Sequence, residues 1–121
     1  MTVTYSENPD TKTIEIGVNG TVTQEDFDAI LPKFDAFMTT HDKIRLVEVV
    51  EHYEGFDPGL MWRGMKFDFK AIPHITHCAV VSDVSWMSPL AKAAGAFMPM
   101  KVRTFGLDEL EVARDWIAAA E

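Results

Sequence analysis

His74 and His77, separated by two residues, form the one histidine pair whose spacing suits a metal. His52, in another loop, would join them if the loops converge. The pair leads into an apolar run rather than lying along a helix, and no further ligand follows from the spacing, so neither a metal nor a cofactor is expected. A second constellation is polar. His52, Asp57 and Asp83 each follow an expected strand, and Ser82 and Ser85 stand beside Asp83. A base, an orienting acid and a nucleophile drawn from these would serve a small hydrolase or lyase. Asp57 and Ser88 already occupy helix-capping positions, however, and polar residues at strand ends are common without catalysis. His52, Asp57, Asp83 and Ser85 are therefore read as a polar rim. The glycine patterns of phosphate loops are absent, as are G-x-S-x-G and H-E-x-x-H. No catalytic residue is assigned.

The elements that must carry this rim follow from the hydrophobic pattern. Residues 78–81, Cys-Ala-Val-Val, read as a strand buried on both faces, which breaks at Ser82-Asp83 into a polar turn carrying Trp86, followed by a helix over 89–97. Ser88 is its expected cap, with Pro89 in the first turn, and Leu90, Ala93, Ala94 and Phe97 its expected inward stripe. Residues 2–7 and 13–18 alternate around Asn8-Pro9-Asp10 and predict an antiparallel hairpin closed by Gly20. Thr23 and Asp26 occupy capping-box positions ahead of a helix with Phe27, Ile30, Leu31, Phe34, Phe37 and Met38 at helical spacing. Pro32 interrupts that pattern without an evident reason. Residues 43–51 predict an interior parallel strand, and 52–59 a loop at its functional end. Helices are expected over 58–70, capped by Asp57, and over 108–120, with a short strand at 101–105 between the last two helices. The order β-β-α-β-α-β-α-β-α describes one α/β domain over 1–121.

Composition removes several functions. Eleven Lys and Arg against 19 Asp and Glu leave a charge of −8, without a basic cluster, so no nucleic-acid partner is expected. The first residues lack a basic and apolar leader, and no apolar run approaches a membrane span, so a cytoplasmic protein without a transmembrane segment is expected. Cys78, the one cysteine, is read as a small core residue.

What remains is apolar. Tyr53, Phe56, Trp62, Met65, Trp86 and Phe97 gather around the two middle βα units, the place where α/β sheets hold ligands. They are read as the lining of a site for a small apolar molecule such as a lipid. The helix over 58–70 is apolar on two sides, with Met61, Trp62, Met65 and Phe69 on one and Leu60 and Phe67 on the other. Leu60 and Phe67 are the expected interface of a homodimer or a protein partner.

The chain resembles the SpoIIAA-like proteins, which are related to STAS and CRAL-TRIO domains. The resemblance rests on Gly20-Thr21-Val22-Thr23 with Asp26-Phe27, and on His41 followed by Lys43-Ile44-Arg45-Leu46-Val47. It continues through Ala79-Val80-Val81-Ser82-Asp83 with Trp86, Val102-Arg103-Thr104-Phe105, and Ala113 with Trp116-Ile117. It implies a superhelical βα sheet, four strands mostly parallel with an antiparallel N-terminal strand, and a non-enzymatic binding or regulatory role. STAS relatives bind protein partners, and CRAL-TRIO domains hold hydrophobic molecules. Anti-sigma-factor antagonists of this kind carry a phosphorylated serine after an aspartate at one helix start. The matching place here is Asp57-Pro58-Gly59, which has no hydroxyl, so a phosphoserine switch is not implied.

Overall fold

A computed structural model describes residues 3–120. Five strands, β1 (Val3–Asn8), β2 (Thr13–Val22), β3 (Ile44–Phe56), β4 (Ile75–Ser82) and β5 (Lys101–Phe105), form one sheet in sequential order. β1 runs antiparallel to β2, and every later neighbour is parallel. Between and after them lie α1 (Gln24–Thr40), α2 (Leu60–Ala71), α3 (Met87–Gly95) and α4 (Leu110–Ala119). The α/β class, the element order and the antiparallel N-terminal strand are those expected. Thr2, the expected first residue of the hairpin, lies outside the described residues.

Strand alternation divides the core in two. Ile14, Ile44, Leu46, Cys78 and Val80 point to the face covered by α1, α2 and α3. Val47, Val49, Ala79, Val81 and Phe105 point to the other face, where Ala113 and Ile117 of α4 cover them. A sheet buried on both sides explains why its central strands read as unbroken apolar runs. Arg45 reaches past the end of α4 and donates to the carbonyls of Ile117 (2.8 Å) and Ala118 (3.3 Å), groups a helix end leaves unpaired.

Local chemistry fixes α1 as expected. The Thr23 hydroxyl accepts from the Asp26 N–H at 3.2 Å, and the Asp26 carboxylate accepts from the Thr23 N–H at 3.0 Å. Pro32 is tolerated because it and Asp28, whose carbonyl loses its helical partner, are both exposed.

Several expectations change. β2 runs on to Val22 and β3 to Phe56, because the two extensions pair with each other: Asn19 faces His52, Gly20 faces Tyr53 and Val22 faces Phe56. Most of the expected loop at 52–59 is therefore strand. The register skips Glu51 and Glu54, and Gly20 and Gly55, both at φ 115°, supply the positive angle that such irregularities need. Asp57 does not cap α2, which starts at Leu60; its carboxylate instead accepts the Gly59 N–H at 2.8 Å in a tight turn. Likewise Ser88 lies inside α3 rather than capping it, and donates to the Thr104 hydroxyl at 2.9 Å. The inward side of α3 is Met87, Ala91 and Ala94, with Met98 following beyond its end. Of the expected stripe only Ala94 faces inward, while Ala93 is exposed, Leu90 is 57% exposed and Phe97 91%.

Candidate functional site

β3 is the strand that builds the site. Its side chains toward α2 and α3 run Ile44, Leu46, Glu48 and Val50, so one carboxylate stands in the middle of an apolar row. Over that row α2 and α3 stand apart and leave a cavity of about 470 Å³. Its floor is Leu46, Glu48, Cys78 and Val80 of the sheet, with Val102 beside them. One wall is Phe67, Asp68 and Ala71 of α2; the other is Met87, Ala91, Ala94 and Gly95 of α3. The small residues of α3 serve close packing on β5. A Cβ built at Gly95 would come within 2.9 Å of the Val102 Cβ. α2 is instead tied to α1. Phe67 meets Phe34 and Phe27 edge-on, at 4.8 and 5.9 Å between centroids. Arg63 pairs with Asp28, and Lys70 with Asp35 at 3.0 Å. One helix held by β5 and the other by α1 define the gap between them.

The electrostatics of the gap are one-sided. Burial, and then the neighbouring Asp68 carboxylate, push Glu48 above its ordinary value. Burial also raises Asp68. The Cys78 thiol is driven well up, by burial first and then by Glu48, which makes it a poor nucleophile. No Lys, Arg or His lines the cavity.

A second apolar cleft, of about 400 Å³, lies along α2 between Tyr53, Phe56, Leu60 and Met65, and Asp68 borders both spaces. Three of the six aromatic and methionine residues expected around a ligand thus share this smaller cleft. Trp86 joins them through Tyr53, its ring centroid 5.9 Å away. Trp62 and Phe97 line neither space. Trp62 is 63% exposed, with the Lys66 ammonium 5.1 Å above its ring.

The expected interface on α2 is inverted. Leu60 is only 4% exposed, and Phe67 packs into the main core, so both face inward. Met61, Trp62, Met65 and Phe69 form the outward side instead. The helix pattern shows two apolar sides; Phe27 and Phe34 on α1 decide which is covered.

The polar rim does not converge on one point through its hydrogen bonds. His52 meets Glu54 at 3.1 Å, Asp57 holds Gly59, and Asp83 accepts from the Leu107 N–H at 3.1 Å. Ser85 is exposed in the turn before α3. Ser82 donates to the Val50 carbonyl at 2.8 Å and ties the end of β4 to the middle of β3. His74 lies against the Asp42 carbonyl at 2.7 Å, whereas His77 is buried beneath Trp116 on the α4 side. Among the described residues no group of three His, Cys, Asp or Glu side chains is placed to hold a metal. No helix among them is long and apolar enough to cross a membrane.

Glu48 escapes a reading by pattern because a single acid within an apolar run looks like the outward residue of an ordinary strand. The signal that marks it is its phase. Glu48 shares the parity of Ile44, Leu46 and Val50, all of them buried.

A family model described as SpoIIAA-like matches residues 13–118. Among solved structures, the chain is similar to an uncharacterized protein from the DUF3478 family with a SpoIIAA-like fold, from Shewanella loihica. The TM-score is 0.75 at 16% identity, over 95% of this chain and 91% of that one, a likeness of fold. A comparison with curated proteins finds no match. The family match runs from β2 into α4 and takes in every element that surrounds the cavity, and the chain belongs to the SpoIIAA-like family.

Proposed function

We propose that this SpoIIAA-like domain is a non-enzymatic binding module that encloses a small apolar molecule between α2 and α3. The observation that carries the reading is the apolar cavity of about 470 Å³ over β3 and β4. That volume falls within the roughly 300–1,000 Å³ of sites that enclose small ligands, which are lined mostly by apolar groups with a few polar ones. Met87, Met98 and Met100 give the lining side chains that adapt to shape. Nile red, an uncharged dye that brightens in apolar surroundings, tests the reading. It is expected to bind the wild type, and Ala94→Leu or Ala91→Leu, each filling the gap from α3, to weaken binding about ten-fold, or 1.4 kcal/mol. Trp62→Ala is expected to leave the affinity unchanged, since Trp62 stands outside the cavity. Loss of the dye in Trp62→Ala with retention in both leucine variants would place binding on the outer surface and end the cavity reading.

A second reading, self-association with another copy of the chain, is favoured by one observation. Met61, Trp62, Met65 and Phe69 leave a row of large apolar side chains exposed along α2, with Phe69 75% exposed. The SpoIIAA-like fold, shared with STAS domains, is compatible with a protein-interaction role of this kind. Sedimentation is expected to show a dimer that Trp62→Glu with Phe69→Glu converts to a folded monomer. A wild type that stays monomeric at high concentration removes this reading. Phe67→Asp is unsuitable as a probe, because Phe67 belongs to the core.

A further inference from the structure

We infer that the cavity between α2 and α3 selects an apolar molecule carrying a positively charged amine head, with Glu48 as the group that meets it. The inference rests on the cavity being the binding site and adds the chemistry of the ligand. Five acids among the described residues are not exposed: Glu15, Asp26, Asp35, Glu48 and Asp57. Glu15 pairs with Arg114, Asp26 holds Thr23, Asp35 pairs with Lys70 and Asp57 takes the Gly59 N–H. Glu48 alone of the five makes no hydrogen bond or ion pair. No sealed side-chain oxygen lacks a partner among the described residues, so the Glu48 oxygens open onto the cavity rather than into closed protein.

Charge then selects among ligands. The groups that ionise around the cavity are Glu48 from β3, Asp68 from α2 and the Cys78 thiol from β4; α3 and β5 contribute none. A fatty acid would bring a third carboxylate to two others with no cation to receive it. An alcohol would accept or donate one hydrogen bond and leave the charge unanswered. An alkylammonium supplies the counter-charge, and its chain fits the apolar walls. The acidic balance of the whole chain, −8, draws cations toward it as well. The raised pKa of Glu48 agrees, since a bound cation would restore the ionised form and expel a proton.

Displacement of Nile red by decylamine, decanol and decanoate at neutral pH tests the inference, because the three probes share a chain and differ in the head. Decylamine is expected to bind at least ten-fold tighter than decanol, and decanoate more weakly than either. Glu48→Gln, which keeps the side-chain size, should bring decylamine to the level of decanol, read as the ratio of the two affinities within that variant. Asp68→Asn, at the mouth, should reduce the preference by a smaller factor. Decanol or decanoate binding as tightly as decylamine overturns the head-group assignment alone, as does a preference that survives Glu48→Gln. Failure of the dye and of all three probes to bind overturns both this inference and the cavity reading beneath it.

Discussion

Phe34→Ala is expected to lower the unfolding free energy by about 3–5 kcal/mol, the usual cost of removing a buried aromatic ring. Phe34 is 1% exposed, and its ring stands edge-on to Phe67 with centroids 4.8 Å apart. The substitution removes the burial of the ring and the pair it forms, and it leaves a void that α2 cannot close. α2 is held at a distance by Arg63 on Asp28 and by Lys70 on Asp35. Phe34 also borders both the main cavity and a smaller apolar one of about 150 Å³ beneath α1. Its loss therefore joins the two spaces, and the surviving folded protein should accept a bulkier apolar probe than the wild type. Urea unfolding with the transition followed by tryptophan fluorescence measures the first effect. A loss below about 1 kcal/mol would mean that the site collapses on truncation, and would contradict a rigid frame around the cavity.

Glu48→Gln is expected to stabilise the protein at any pH above the folded pKa of Glu48, by about 1.4 kcal/mol for each unit by which folding raises that pKa. The sign follows from linkage. Glu48 titrates near 4.5 when unfolded and higher when folded, because burial and then Asp68 oppose its charge. The folded state binds the proton more tightly, so this contribution to stability is complete below about pH 4.5 and is lost as pH rises through the folded pKa. The amide of the glutamine variant carries no charge at any pH and lacks the slope. His77 acts in the opposite direction. Burial, and then Lys101 and Arg45, hold it below its ordinary 6.5, so its contribution is lost as pH falls through that range. The difference between wild type and Glu48→Gln isolates the slope of Glu48 from that of His77. Urea midpoints taken in steps from pH 4.5 to 8.5 give that difference. A difference that stays flat would mean that Glu48 is as well solvated in the fold as in the unfolded chain. Addition of decylamine to the wild type should narrow the same gap, since a bound cation stabilises the ionised form.

Much of the frame is local chemistry, and the sequence discloses it. Thr23 and Asp26 satisfy each other's backbone across three residues, so the start of α1 needs no distant partner. Asn8-Pro9-Asp10 marks the turn between β1 and β2 for the same reason, and the run from Lys101 to Phe105 has the expected bounds. Ala113 and Ile117 declare the inward side of α4 by spacing alone. Two extensions escape such reading. Residues 19–22 and 52–56 contain glycine and polar residues that favour turns on their own, and they are strands because each supplies the backbone partner of the other.

The sequence by itself determined the α/β order, the two-faced sheet and the SpoIIAA-like resemblance, because periodicity and capping act within one or two turns of chain. Only the tertiary structure decided which side of α2 is covered, since Phe67 is chosen over Trp62 by Phe27 and Phe34 on another helix. Only the tertiary structure sets Glu48 against a cavity. Its parity along β3 directs it toward the helices, but a space above it exists because α3 is drawn onto Val102 through Gly95 while α2 is held by α1. A cavity is a property of the distance between two helices, and no residue along the chain encodes that distance alone.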